Sequence, residues 1–107
     1  MLPDGIVGAI RQRLARQPAE VVEALRTAAI IGRTFEAKFL AEVMDQDIET
    51  IEERLQEAAR AWLVRRDGAS FTFQHNKIRE CLYVDVSPSR RQRLHEVIGR
   101  ALEAQPN

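Results

Sequence analysis

The chain has a single cysteine, Cys81. No internal disulfide can form, and a reducing, cytoplasmic setting is the expectation. No apolar run approaches the roughly 20 residues that a bilayer-crossing helix needs. The N-terminus shows no basic stretch leading into an apolar one, so neither a membrane span nor a secretory leader is expected. Charge of one sign is not in excess: Lys and Arg number 16, Asp and Glu 16. The field of a dedicated nucleic-acid binder is therefore missing. Catalytic chemistry is missing as well. No Gly-rich loop runs into Lys-Ser or Lys-Thr, so the chain alone offers no cradle for a nucleotide's phosphates. One cysteine with His75 and His95 cannot fill a structural zinc site. No Ser, Cys or Lys stands in a recognisable nucleophile motif. The expectation is a protein that is not an enzyme and holds no metal or cofactor by itself.

What is present is the material of one small folded domain. In 107 residues, 45% are apolar and 30% charged, enough for a single hydrophobic core and too apolar for a disordered chain. There is no internal repeat or low-complexity segment. The charges are segregated. From 42 to 57 the acids Glu42, Asp45, Asp47, Glu49, Glu52, Glu53 and Glu57 face Arg54 alone. From 60 to 100 the bases Arg60, Arg65, Arg66, Lys77, Arg79, Arg90, Arg91, Arg93 and Arg100 outnumber Asp67, Glu80, Asp85 and Glu96. An acidic middle and a basic end suit oriented contacts with neighbouring domains; a solvated mixed surface is the plainer alternative.

Taken in order, Ile6, Ile10 and Leu14 form one stripe of an amphipathic helix over residues 4–16. Gln17-Pro18 ends it, and Pro18 suits the first position of a second helix carrying Val21, Val22, Leu25, Ala28 and Ala29. Gly32 is its stop, and the apolar run of residues 27–31 predicts an end buried all round. Phe35, Phe39, Leu40 and Val43 mark a short third helix. Asp45-Gln46-Asp47 is a tight turn, with Asp47 placed to cap the next helix, on which Ile48, Ile51, Leu55, Ala58 and Trp62 recur at helical spacing. Trp62 is expected as a core anchor between that helix and the following hairpin. Asp67-Gly68 between two short apolar runs predicts the hairpin, since both residues tolerate positive φ. Helix, turn, helix, hairpin is the order of a winged helix. After a further helix, Ser87-Pro88 supplies an N-cap and first position for a last one carrying Leu94, Val97, Ile98, Ala101 and Leu102. The predicted fold is mainly α with a small β-hairpin: residues 1–32 two leading helices, 33–86 the winged-helix core, 87–107 a C-terminal helix.

The stretch from Phe71 to Tyr83 organises the rest. Phe71 and Phe73 share one face of an extended segment, whereas Ile78 and Leu82 share one face of a helix. His75 stands at the junction, beside N–H groups that have no partner inside the new helix and that attract anions, phosphate above all. It either meets such a ligand or simply caps its helix. Cys81 reads as a small core residue. Arg79 and the cluster Arg90, Arg91 and Arg93 either dock against neighbouring domains or form solvated surface.

A winged helix invites the thought of DNA, with the helix near 47–61 in the major groove. Its outward positions include Glu49, Glu52, Glu53, Gln56 and Glu57, and phosphates repel such a face; Arg65 and Arg66 do not offset it. DNA binding as part of a transcriptional regulator remains the alternative to an interdomain role, and a protein–protein adaptor is a third possibility.

The run Phe73-Gln74-His75-Asn76-Lys77-Ile78-Arg79-Glu80-Cys81-Leu82-Tyr83, followed by Ser87-Pro88-Ser89-Arg90-Arg91-Gln92-Arg93-Leu94-His95, resembles a pattern of bacterial STAND-type signalling ATPases. These include LuxR-tailed regulators and proteins with a nucleotide-cyclase domain. Leu2-Pro3, Ile10-Arg11-Gln12-Arg13-Leu14 and Ala28-Ala29-Ile30-Ile31-Gly32-Arg33-Thr34-Phe35 extend the likeness over essentially the whole chain. The resemblance implies a non-catalytic regulatory module between an upstream nucleotide-binding domain and a downstream helical-repeat domain. It implies ADP or ATP bound in the parent protein, not here, and His75 directed at the nucleotide phosphates. Relatives carry Met-His-Asp at that point; Gln74-His75-Asn76 keeps only the histidine. Arg79, Arg90, Arg91 and Arg93 would be interdomain contacts.

Overall fold

The computed structural model describes residues 4–105. Six helices and three short strands follow in the order α1 (Asp4–Ala15), α2 (Ala19–Ile31), β1 (Thr34–Glu36), α3 (Ala37–Met44), α4 (Ile48–Arg60), β2 (Val64–Asp67), β3 (Ser70–Phe73), α5 (Asn76–Asp85) and α6 (Pro88–Ala104). The architecture is mainly helical with one small antiparallel sheet. No helix among the described residues is long and apolar enough to cross a membrane.

α2 is the central helix. Val21, Ala24, Leu25 and all of Thr27–Ile30 are buried, as the apolar run predicts, because α3, α4, α5 and α6 all pack against it. The one hydroxyl in that buried run, Thr27 Oγ1, donates to the Glu23 carbonyl at 3.2 Å, which keeps a polar atom paired inside the core. Pro18 precedes α2 as its N-cap, one position earlier than expected. α1 buries Ile10 and Leu14 and leaves Ile6 at 42% exposure, so the first residue of its stripe looks outward.

The sheet has one strand more than the sequence suggests. Phe35 and Phe39 are four apart and fit a helix, yet Phe35 lies in β1, and α3 starts only at Ala37. β1 pairs antiparallel with β3, Phe35 opposite Phe71, and the strand order is β1-β3-β2. With a partner on each side, β3 buries all of Phe71, Thr72 and Phe73. Phe35 stacks on Phe71 at 6.3 Å and tilts against Phe73 at 5.6 Å, while Thr34 and Thr72 share a 3.1 Å hydroxyl contact. An aromatic with such partners is worth more in the sheet than in a helix.

Turn chemistry departs from expectation in detail. Asp67 pairs with Ser70, so the hairpin turns on Gly68-Ala69, one residue later than Asp67-Gly68. Gly68 takes φ 64°, and a glycine leading a two-residue loop is the type II′ arrangement. Asp47 stands at the N-cap position of α4 but its side chain accepts no hydrogen bond. Ser87 does cap α6, its Oγ accepting from the Arg90 N–H at 3.3 Å, with Pro88 next.

The core forms two clusters. The larger joins α1 through α5 and the sheet; the smaller gathers Ile30, Phe39, Val43, Val86 and Ile98 beneath α6. Of the apolar residues on α6 only Ile98 is buried, with Val97 and Leu102 open to solvent. Cys81 is a buried core thiol, as expected.

Candidate functional site

β3 delivers the chain to His75 along a hydrogen-bonded path. The Phe73 N–H donates to the Arg33 carbonyl and the Gln74 N–H to the Leu63 carbonyl, both at 3.0 Å. His75 then takes an extended conformation, φ −150° and ψ 144°, and its ring turns back on the new helix. Nδ1 accepts from the Lys77 N–H at 3.0 Å, and the His75 carbonyl accepts from the Ile78 N–H at 3.0 Å. Capping is thus one task of this side chain. A nitrogen that accepts carries no proton, so the proton of the neutral ring sits on Nε2. The imidazole is exposed. The capping bond therefore fixes the ring and leaves the Nε2–H donor unused by the cap, beside the positive end of α5.

Next to it, α4 ends in an unusual way. The Trp62 N–H donates to the Ala59 carbonyl and the Leu63 N–H to the Ala58 carbonyl, both at 3.0 Å, the paired bonds of a Schellman motif. Its left-handed position, ordinarily glycine, is Trp62 at φ 62°. A bulky residue there is strained. Trp62 is also 70% exposed, which overturns its expected role as a core anchor. Ala58 and Trp62 lie four apart in sequence, but the helix stops between them and turns the indole out. α3 ends in the same motif, with Asp45 at φ 53°; aspartate tolerates that conformation far better.

Trp62 and His75 line one cavity of about 350 Å³. Ile6, Ile10 and Ile78 supply apolar walls, and Arg13 and Gln74 polar ones. The Arg13 carbonyl accepts from the Arg16 N–H at 3.2 Å, but the Arg13 side chain makes no hydrogen bond or ion pair among the described residues. Helical periodicity could not reveal this cavity, because it joins residues from α1, the end of α4 and the start of α5.

The arginines expected at domain contacts divide. Arg79 Nε donates to the Ala29 carbonyl at 2.9 Å, capping the C-terminal end of α2, where carbonyls lack helical partners. Arg90 pairs with Glu23 of α2. The guanidinium carbons of Arg91 and Arg79 lie 4.8 and 5.8 Å from the centre of the half-buried Tyr83 ring. Arg93 is exposed and makes no such tie among the described residues. Away from this group, Arg11 grips Asp85 with contacts of 2.9 and 3.0 Å, and that hydrogen bond raises the guanidinium pKa further.

On the far side, α4 leaves Glu49, Glu53, Gln56 and Glu57 exposed. Arg66 is drawn onto the same helix, reaching Glu52 at 2.8 and 3.3 Å, the Gly68 carbonyl at 3.1 Å, and the face of Phe71 at 5.1 Å. Among the described residues no cluster of His, Cys, Asp or Glu could hold a metal ion. Compared with protein-family models, with curated proteins and with solved structures, the chain has no match in any of the three.

Proposed function

We propose that this chain is a non-catalytic regulatory module of a multidomain STAND-type signalling ATPase, a winged helix that packs on a nucleotide-binding domain and reports its nucleotide state. The observation that carries the reading is the exposed His75 ring, held by a capping bond at Nδ1 so that its Nε2–H is left free to donate. A donor held rigidly beside a helix N-terminus is suited to a phosphate oxygen presented by a neighbour. The element order α3, the Asp45-Gln46-Asp47 turn, α4 and the β2–β3 hairpin supports the winged-helix reading. Val97 and Leu102 on the outer face of α6 offer apolar surface to a following helical repeat. ADP or ATP would be held by the neighbouring domain, with His75 as this chain's contact.

The test must separate the cap from the contact. His75→Asn keeps a good N-cap but removes the ring donor. In the protein with its ATPase domain, this variant is expected to match the parent in thermal stability and to release ADP about tenfold faster, the loss of one charge-assisted hydrogen bond. Unchanged release would sink the proposal. DNA binding as the alternative is opposed by the exposed carboxylates of α4 and by the Arg66–Glu52 pair, and a random duplex at low salt is expected to show no retention in a gel shift.

A further inference from the structure

We infer that the cavity between Trp62, α1 and the start of α5 is a binding site for a planar aromatic anion, its ring stacked on Trp62 and its charge met by Arg13 and the His75 Nε2–H. The inference needs no neighbouring domain and shares with the proposed function only that one donor. Three observations converge. The recess, about 350 Å³, has apolar walls from Ile6, Ile10 and Ile78 with a few polar groups at its margin, the make-up and lower size range of small-molecule sites. Both polar groups that bear on charge are donors: Arg13 makes no ion pair among the described residues, and His75 has spent its acceptor on Lys77. Finally, the largest side chain of all occupies a left-handed position that glycine would fill without strain, and 70% of it is left in solvent. Strain of this kind persists where a side chain is needed in place, and an indole at the mouth of an apolar recess gives an aromatic ring a stacking partner.

Trp62 is the only tryptophan, so its emission reports the site directly. The probe is 8-anilinonaphthalene-1-sulfonate, an anion that carries a planar naphthalene ring, titrated into the folded chain. Saturable binding of one equivalent is expected, with quenching of Trp62 by energy transfer. The neutral N-phenyl-1-naphthylamine should bind about tenfold more weakly, as should Arg13→Gln with the anionic probe. Trp62→Gly is the decisive variant. It relieves backbone strain, so its melting temperature should rise while probe affinity, followed by probe emission, falls about tenfold or more. Weaker binding by a more stable protein cannot be ascribed to unfolding. Competition by ADP but not by inorganic phosphate would identify the aromatic anion as a nucleotide; competition by neither would point to an aromatic acid of another kind, and both results support the site. Binding that is unsaturable, or indifferent to Trp62→Gly and Arg13→Gln, would overturn it.

Discussion

Trp62 and His75 show how much a single backbone position decides. Trp62 holds φ 62° at a helix end where an L-residue costs roughly 1–2 kcal/mol relative to glycine. Trp62→Gly is expected to stabilise the chain by about 1 kcal/mol after the entropy of a freer unfolded state is deducted, raising the midpoint by about 5 °C in a thermal melt. A lower midpoint would mean the indole contributes packing that its 70% exposure hides. Asp45→Gly, at the equivalent end of α3, should gain no more than a few tenths of a kcal/mol, because aspartate is already at ease there. The position of His75 at a helix start was legible in the sequence, since Phe73 ends one periodicity and Ile78 begins another. The exposure of Trp62 was not. It lies four residues beyond Ala58, so spacing alone continues the helix through it.

Among the elements, the arginines differ by what they tie together, and Arg79 closes a helix end. Arg79 reaches from α5 to the Ala29 carbonyl and completes the C-terminal end of α2. Arg79→Ala is expected to cost about 1–2 kcal/mol in denaturant unfolding, since the carbonyl of the buried Ala29 loses a charged donor. Arg93→Ala, by contrast, should stay within about 0.5 kcal/mol. Equal effects would remove the distinction between the two. The Arg11–Asp85 pair joins α1 to the end of α5, but both side chains are substantially exposed, so its worth is held to about 1 kcal/mol or less. The bond raises the Arg11 pKa above its already high ordinary value. Stability gained that way is complete below the unfolded value and fades only at more alkaline pH, so its Arg11 contribution does not vary near neutrality. β1 illustrates the limit of reading elements one at a time. Three residues of alternating exposure, Thr34–Glu36, make a strand only because β3 has an open edge beside them.

Across the whole molecule, stability is unevenly shared. α2 buries seven of its residues and touches most other helices, whereas α6 buries only Ile98. Helix α6 is therefore expected to open by itself, and its amides to exchange with deuterium about tenfold or more faster than those of β3. Equal protection would show one cooperative unit in which the smaller cluster is as firm as the larger. The same unevenness suits a module whose outer helix meets another helical element, with Val97 and Leu102 already outward.

By itself the sequence determined the helices, their order, the hairpin and the histidine at the junction, because hydrophobic periodicity, Pro and Gly act over a few residues. The tertiary structure alone decided the third strand, the turned-out indole, the inward ties of Arg79, Arg90 and Arg66, and the cavity that joins Arg13, Trp62 and His75. Each of these depends on residues far apart in the chain meeting across a packed core, and local spacing carries no information about such meetings.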